Sequence, residues 1–473
     1  VTARVGVEAR AWHWQFSGRA QPALHDLSFS IEPGERVLLA GPSGCGKSTL
    51  LMALAGVLGA DQGTDAGELL INDGAPDAGR RLTGLVMQDP ETQVIMERVG
   101  DDVAFGCENF AVPRDETWRR VHAALASVGL TGPGLPVTTE TPTAILSGGQ
   151  KQRLALAGVI AFEPGLLLLD EPTANLDPQG VLDVVAAVSR VVRETGCTLI
   201  VVDHNPAPWE QLLTRVIALD SSGGLASESA DYPRVHRARV PVTRVPGDVV
   251  ISAVNLSVGR RGQPAIPVPD LALRAGTITA LTGINGSGKS TLSLTLGGLL
   301  PPHSGEIIVG ASLRHGLRPR HVPSPHRWPA RSLVRRVGSV FQSPENQFVQ
   351  PTAHSEVGLG LRVTGVSRHE VAERVQSRLE LMGLANLASA HPFTLSGGQK
   401  RRLALVSATV TQPGLVVVDE PTFGQDDDSW ADVVSLLDEL ARAGSAVVIT
   451  THDADLLALV DDIVTLSPRV PAA

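Results

Sequence analysis

Two tandem α/β domains are what this 473-residue sequence predicts, and three observations carry the prediction. The length suits two domains of roughly 200–250 residues better than one. Several blocks of sequence occur twice at a near-constant spacing. Within each copy, short apolar runs alternate with helical patterns, the order expected of a mainly parallel sheet covered by helices.

The repeats come first. GPSGCGKST at 41–49 returns as GINGSGKST at 283–291, an offset of 242 at the lysine (47 to 289). LSGGQK returns 249 residues on (146 to 395), GLLLLDEPT at 165–173 returns as GLVVVDEPT at 414–422, and VVDH at 201–204 returns as ITTH at 449–452. A near-constant offset over four blocks marks tandem duplication of one domain of about 225 residues. The step from 242 to 249 places extra residues early in the second copy, within GASLRHGLRPRHVPSPHRWPARSLVRRVG at 310–338. Residues 225–248 mix Pro, Arg and Ser without apolar periodicity and read as a linker between domains at 1–224 and 249–473.

Each copy then reads in order. RVLLAG and TITALTG are strands running into glycine loops, and KSTLLMALAG and KSTLSLTLGG are the helices that follow. LLLLD and LVVVD are continuous apolar runs, as expected of strands buried on both faces of a parallel sheet. A hydrophobic content of 43% is enough for packed cores. The three cysteines (Cys45, Cys107, Cys197) are scattered without a CxxC, which argues against a disulfide framework or a zinc site and fits a reducing compartment.

No apolar run approaches the roughly 18–20 residues of a membrane helix. Arg4, Glu8 and Arg10 precede no apolar segment of signal-peptide type, so a cytoplasmic chain with no direct membrane span is expected. A net charge of −9 disfavours broad nucleic-acid binding. Only four of the forty basic residues are lysine (Lys47, Lys151, Lys289, Lys400), and two of them fall in the repeated glycine loops. A compact ammonium at those places does what a planar guanidinium does not.

GxxxxGK[ST] asks for a specific chemistry. Gly41, Gly44 and Gly46 let backbone N–H groups and a helix N-terminus approach a phosphate closely. Lys47 reaches the β- and γ-phosphates, and Ser48, followed by Thr49, supplies a hydroxyl to Mg2+. Gly283, Gly286, Gly288, Lys289, Ser290 and Thr291 repeat the set. Asp170 and Asp419 end buried strands and suit a Mg2+ site, while the adjacent Glu171 and Glu420 are placed to accept a proton from attacking water. A DE pair alone could be a solvated strand end, but here it follows four apolar residues and precedes PT in both copies.

LSGGQ, with the lysine loop, the DE pair and a later histidine, resembles the nucleotide-binding domain of ABC ATPases over essentially the whole chain. The resemblance implies two ABC-type P-loop domains, each with a sheet core and a helical subdomain. It further implies that Gln88 and Gln342 are Q-loop glutamines sensing Mg2+ and a membrane partner, and that His204 and His452 are switch histidines at the γ-phosphate. Asp177 and Asp426 fall at the D-loop, and Phe16 is the aromatic expected to stack on adenine. Its counterpart falls near Val258 without an aromatic, which implies weaker ATP binding at the second site. Such domains pair head to tail. Lys47 would then face Ser396, Gly397, Gly398 and Gln399, and Lys289 would face Ser147, Gly148, Gly149 and Gln150, with ATP and Mg2+ between.

The segments after the Q-loop glutamines, QDPETQVIMERVGDDVAFGCEN (88–109) and QSPENQFVQPTAHSEVGLGL (342–361), and EPTFGQD (420–426), resemble the ATPase component of energy-coupling factor (ECF) importers. That implies an ATPase powering uptake of a vitamin or transition-metal ion. Its partners would be a transmembrane coupling subunit and a membrane substrate-binding subunit, and its place would be peripheral on the inner face of the membrane. Gln93 and Gln347, with Val94, Ile95 and Phe348, would line the groove for coupling helices. A sugar-type importer ATPase, or a non-transport tandem ABC protein acting on ribosomes or DNA, are the alternatives. Between Gly310 and Gly338 lie seven arginines and three histidines with no acidic residue, read either as a solvated insertion or as a contact for anionic lipid or an acidic partner.

Overall fold

The computed structural model describes residues 5–18, 21–42, 44–77, 82–132, 137–174, 176–203, 205–229, 244–259, 265–284, 286–317 and 324–466, apart from the side chain of Glu91. The chain forms two compact units, Val1–Arg234 and Val235–Ala473.

The first unit runs β1 (Val7–Phe16), β2 (Leu24–Ile31), β3 (Arg36–Ala40), α1 (Lys47–Leu54), β4 (Gly63–Ile71), β5 (Thr83–Val86), α2 (Val99–Asn109), α3 (Arg114–Ser127), α4 (Gly148–Ala161), β6 (Leu166–Asp170), α5 (Pro178–Thr195), β7 (Thr198–Val202), β8 (Arg215–Leu219) and β9 (Leu225–Ser229). Six strands lie in the order β5-β6-β7-β3-β8-β9, parallel except for the last pair. A second, antiparallel sheet, β2-β1-β4, was not anticipated from the motifs.

The second unit runs β10 (Val249–Val258), β11 (Ile266–Pro267), β12 (Leu271–Arg274), β13 (Ile278–Thr282), α6 (Lys289–Leu296), β14 (Ser304–Val309), α7 (Ala311–Arg314), α8 (Ala330–Val334), β15 (Val337–Val340), α9 (Ala353–Thr364), α10 (Arg368–Leu381), α11 (Gly397–Thr409), β16 (Leu415–Asp419), α12 (Asp427–Arg442), β17 (Ala446–Thr450), α13 (Ala454–Leu457) and β18 (Asp462–Thr465). Its parallel sheet is β15-β16-β17-β13-β18, and β10 pairs antiparallel with β11, β12 and β14. Helices α7 and α8 are the extra residues expected within 310–338.

The strand before each DE pair shows why its run is apolar throughout. In β6, Leu167 and Leu169 pack among Leu154, Val103 and Leu125 of the helical layer. Leu166 and Leu168 pack on the opposite face with Trp12, Trp14 and Leu51. In β16, Val416 and Val418 face the helices, and Leu415 and Val417 face the antiparallel layer. A period of two places alternate side chains in two different cores, each contributing about 1.5–3 kcal/mol when fully buried. The strand end, and the carboxylates on it, are thereby held from both sides. Among the described residues no helix is long and apolar enough to cross a membrane.

The expected linker at 225–248 is shorter than predicted. Leu225–Ser229 is strand β9, because its edge pairs antiparallel with β8, a contact that local composition does not report. At the other end, the Arg244 side chain is 2% exposed and bonds Asp438, Asp461 and the Leu459 carbonyl, tying that residue into the second unit. Residues 230–243 lie outside the described residues.

Candidate functional site

The two glycine loops are built alike. β3 ends at Ala40 and α1 begins at Lys47; β13 ends at Thr282 and α6 begins at Lys289. Gly46 and Gly288 precede the helices in the left-handed region, at φ 99° and 97°. A Cβ on Gly46 would lie 2.5 Å from Leu24 Cδ2 and 2.7 Å from the Ala23 carbonyl oxygen, and one on Gly288 would lie 2.8 Å from Ile266 Cδ1. Only glycine fits there. The buried Lys47 donates its Nζ to the carbonyls of Gly41 and Pro42, both at 2.8 Å. Lys289 donates likewise to Gly283 at 2.6 Å and Ile284 at 3.1 Å. Neither helix has a side-chain cap, so its first N–H groups are left facing the loop, with Gly44 and Gly286 at its exposed rim. Ser48 is exposed, Thr49 buried, and Ser290 and Thr291 half-buried.

Both DE pairs end their strands in the same strained turn. Glu171 and Glu420 have φ 49° and 51°, an uncommon conformation for a side-chain-bearing residue, and each N–H continues the ladder to Val202 or Thr450. Beyond that the two differ. Gln88 Nε2 donates to Glu171 Oε2 at 2.6 Å, joining the Q-loop glutamine directly to the carboxylate. In the second unit, Gln342 offers its backbone carbonyl to Arg401 Nη2 at 3.1 Å, and Arg401 Nη1 donates to the Glu420 carbonyl. Thr450 donates to Asp419, where the first unit has Val202 opposite Asp170.

Burial, reinforced by Asp419, pushes the Glu420 carboxyl up to about 7, against the pull of Arg401, Lys289 and the His452 backbone N–H that bonds it. Burial also lowers Arg401 to about 10, so it remains a cation at neutral pH. The structure thus brings Lys289, Asp419, Glu420 and the His452 backbone into one neighbourhood. His204 lies outside the described residues. Near it, burial raises the Asp203 carboxyl, with Glu171 adding a smaller push in the same direction.

The signature residues sit at helix starts. Ser147 caps α4 and Ser396 caps α11, each in a reciprocal box with the glutamine three residues on. Gln150 Oε1 accepts from the Ser147 N–H at 2.9 Å, and Gln399 Oε1 from the Ser396 N–H at 3.0 Å. The side chains of the signature glutamines are therefore occupied in capping rather than free for the nucleotide contact expected of them. Ser147, Gly148, Ser396 and Gly397 are exposed, with nothing within 4 Å of a Cβ on either glycine, while Gly149 and Gly398 lie against Leu176 and the Gly424–Gln425 turn. The D-loop aspartates Asp177 and Asp426 cap α5 and α12.

Three expectations shift. Gln93 and Gln347 are engaged with their own loops: Gln93 accepts from Met87 N–H and donates to the Leu85 carbonyl, and Gln347 accepts from Phe341 N–H, so each staples the loop that carries it. Val94 packs on the core and Phe348 is buried; the exposed apolar residues here are Ile95 (60%) and Val349 (69%). The second is one the sequence reading missed. Phe16 is half-buried beside Trp14. The strand bulges at Ala11 and Asn255 align Val258 with Trp14 rather than Phe16, and the equivalent of Phe16 is residue 260, an arginine outside the described residues. In the arginine-rich insertion, Arg331 and Arg335 donate to the Thr364 carbonyl at the end of α9, and Arg336 to the carbonyls of Leu313, Ser332 and His315. These arginines serve as backbone caps within the unit.

A lysine loop at the head of a helix, beside a parallel strand ending in two carboxylates, defines a P-loop nucleoside triphosphatase, present here twice. The ABC transporter family profile matches residues 24–174 and 268–423. A Bacillus subtilis protein provisionally named an HMP/thiamine import ATP-binding protein is 34% identical over 92% of this chain and 85% of its own. A Streptomyces avermitilis protein provisionally named an ABC transporter ATP-binding protein is 32% identical over 94% and 89%. An archaeal ribosome recycling factor shares the fold (TM-score 0.63, 17% identity, covering 96% of this chain and 87% of that one). The chain belongs to the ABC transporter family, as an ATP-binding, ATP-hydrolysing protein with the domain duplicated.

Proposed function

We propose that this chain is the ATP-hydrolysing subunit of an ECF-type importer for a vitamin or transition-metal ion, bound peripherally to the inner face of the membrane. The observation that carries the reading is the doubling of the whole apparatus: lysine loop, strand-end carboxylates and serine-capped signature helix stand in both units. The full-length similarity to a protein named for HMP/thiamine import supports the importer class.

In this reading Lys47 and Lys289 hold the β- and γ-phosphates, while Glu171 and Glu420 take the proton of the attacking water. Gln88 and Gln342 report nucleotide state to the membrane partner, and His204 and His452 contact the γ-phosphate. The signature residues Ser147, Gly148 and Gly149, and Ser396, Gly397 and Gly398, offer a serine hydroxyl and helix-start N–H groups to a nucleotide phosphate. Among the described residues no three His, Cys, Asp or Glu side chains cluster to hold a metal unaided. That fits Mg2+, which keeps phosphate oxygens and waters in its shell and needs few protein ligands. Ser48 with Asp170, and Ser290 with Asp419, would hold it, and it would neutralise phosphate charge.

Ile95 and Val349 offer exposed apolar contacts beside the two Q-loops to a transmembrane coupling subunit, which would in turn carry a membrane substrate-binding subunit. The test is co-purification from native membranes. The intact chain is expected to bring down an integral membrane protein, and Ile95→Asp with Val349→Asp to lose it while retaining ATPase activity. Recovery of the intact chain on ribosomes, with no membrane protein attached, overturns the reading.

A further inference from the structure

The second unit carries a buried cation with no counterpart in the first. Arg401 lies two residues past the signature glutamine on α11 and is 6% exposed. Its equivalent, Gln152, is 3% exposed, and its Nε2 has no hydrogen-bond partner. Around Arg401 the second unit has changed to match. The guanidinium donates to the carbonyls of Gln342 and Glu420, and its centre lies 5.0 Å from the centroid of the Phe423 ring. The first unit has Ala174 where Phe423 stands.

We propose that Arg401 is a positioning residue of the second ATP site, clamping the Q-loop at Gln342 to the strand end that carries Glu420 and to the D-loop at Phe423. A buried guanidinium is costly unless its fork is satisfied, and a planar fork satisfied by two carbonyls sets the distance and angle between them. Those carbonyls belong to the sensing glutamine and the base, so the Q-loop and Glu420 move as one body. In the first unit the same two segments are joined through the side chains of Gln88 and Glu171. There the sensing glutamine touches the base itself and can release it; in the second it is fastened behind the base. The two ATP sites are therefore mechanically unequal, although both keep the motif residues. The inference rests on the assignment of Glu420 as a base.

The test uses the full chain in a Glu171→Gln background, so that turnover reports Glu420. Arg401→Gln is expected to lower kcat roughly tenfold with KM for ATP changed by less than about twofold. Hydrogen exchange is expected to quicken in 341–349 and 420–424 and to stay unchanged in the first unit and in α12. Arg401→Lys, which keeps the charge without the fork, is expected to fall between. If Arg401→Gln folds poorly, Arg401→Gln with Phe423→Ala reproduces the pair the first unit already tolerates. Unchanged kcat in either variant overturns the clamp, and so does a kcat loss accompanied by faster exchange throughout the unit, which marks a merely structural role. A Glu171→Gln parent without turnover would refute the assignment of Glu420 instead, and the exchange measurement would still decide the clamp.

Discussion

Asp203 accepts in the first unit the two hydrogen bonds that Asp453 accepts in the second. Thr173 Oγ1 and Trp209 Nε1 donate to Asp203 Oδ2 at 2.5 and 2.8 Å; Thr422 Oγ1 and Trp430 Nε1 donate to Asp453 Oδ2 at 2.9 and 2.7 Å. Yet Asp203 precedes its histidine and Asp453 follows its own, and the tryptophans come from different elements, a 3-10 turn after β7 and helix α12. The carboxylate joins the threonine after each DE pair to the loop carrying the histidine.

Losing that carboxylate strands three donors, two of them part-buried. Asp203→Ala is expected to destabilise the first unit by about 3 kcal/mol, because the Thr173 hydroxyl, Trp209 indole and Asn205 N–H lose their acceptor together. Thermal unfolding followed by tryptophan fluorescence reads both the loss and the changed indole environment. A midpoint equal to that of the unaltered chain would contradict the prediction.

The glutamates should separate binding from turnover. Glu171→Gln combined with Glu420→Gln is expected to bind ATP with an affinity within about threefold of the parent and to lower kcat by about a hundredfold or more. Nucleotide-binding titration and phosphate release measure the two quantities independently. Undiminished phosphate release would remove both residues as bases.

Glu420 carries a pH signature. A base must be ionised to accept a proton, and burial places this carboxyl near 7. Turnover of the Glu171→Gln chain is therefore expected to fall as pH drops through about 7. Stability has the opposite sense: the folded pKa exceeds the ordinary 4.5, so the contribution is full below that value and lost as pH rises through about 7. The loss amounts to up to about 3 kcal/mol. Glu420→Gln, neutral throughout, is expected to flatten this dependence in urea denaturation at about pH 5 and about pH 8.

Two glycines in one loop should respond differently. Gly46→Ala pushes a methyl group into Leu24 and the Ala23 carbonyl and is expected to abolish nucleotide binding at the first site. Gly44→Ala meets nothing within 4 Å, and its φ of 82° leaves only backbone strain of about 1–2 kcal/mol. ATP titration of both variants in a Lys289→Ala background isolates the first loop. Equal losses would mean that strain, and not the steric contact, governs the site.

What was legible from the residues alone was whatever contiguous segments carry by themselves. The duplication, the lysine loops, the apolar run ending in carboxylates and the serine-led signature are each spelled within about a dozen residues, and their chemistry follows from spacing. The tertiary structure decided what depends on partners far away in the chain. Gln93 and Gln347 read as groove-lining residues, but only the folded loop shows their amides spent on backbone groups six and eight residues back. The arginines of 310–338 read as a charged surface until the end of α9 is brought beside them. Arg401 and Gln152 differ by one letter in a shared motif. Only burial among Gln342, Glu420 and Phe423 makes one a satisfied cation and the other an amide with an unused donor, because the cost of burying a polar group is set by what surrounds it.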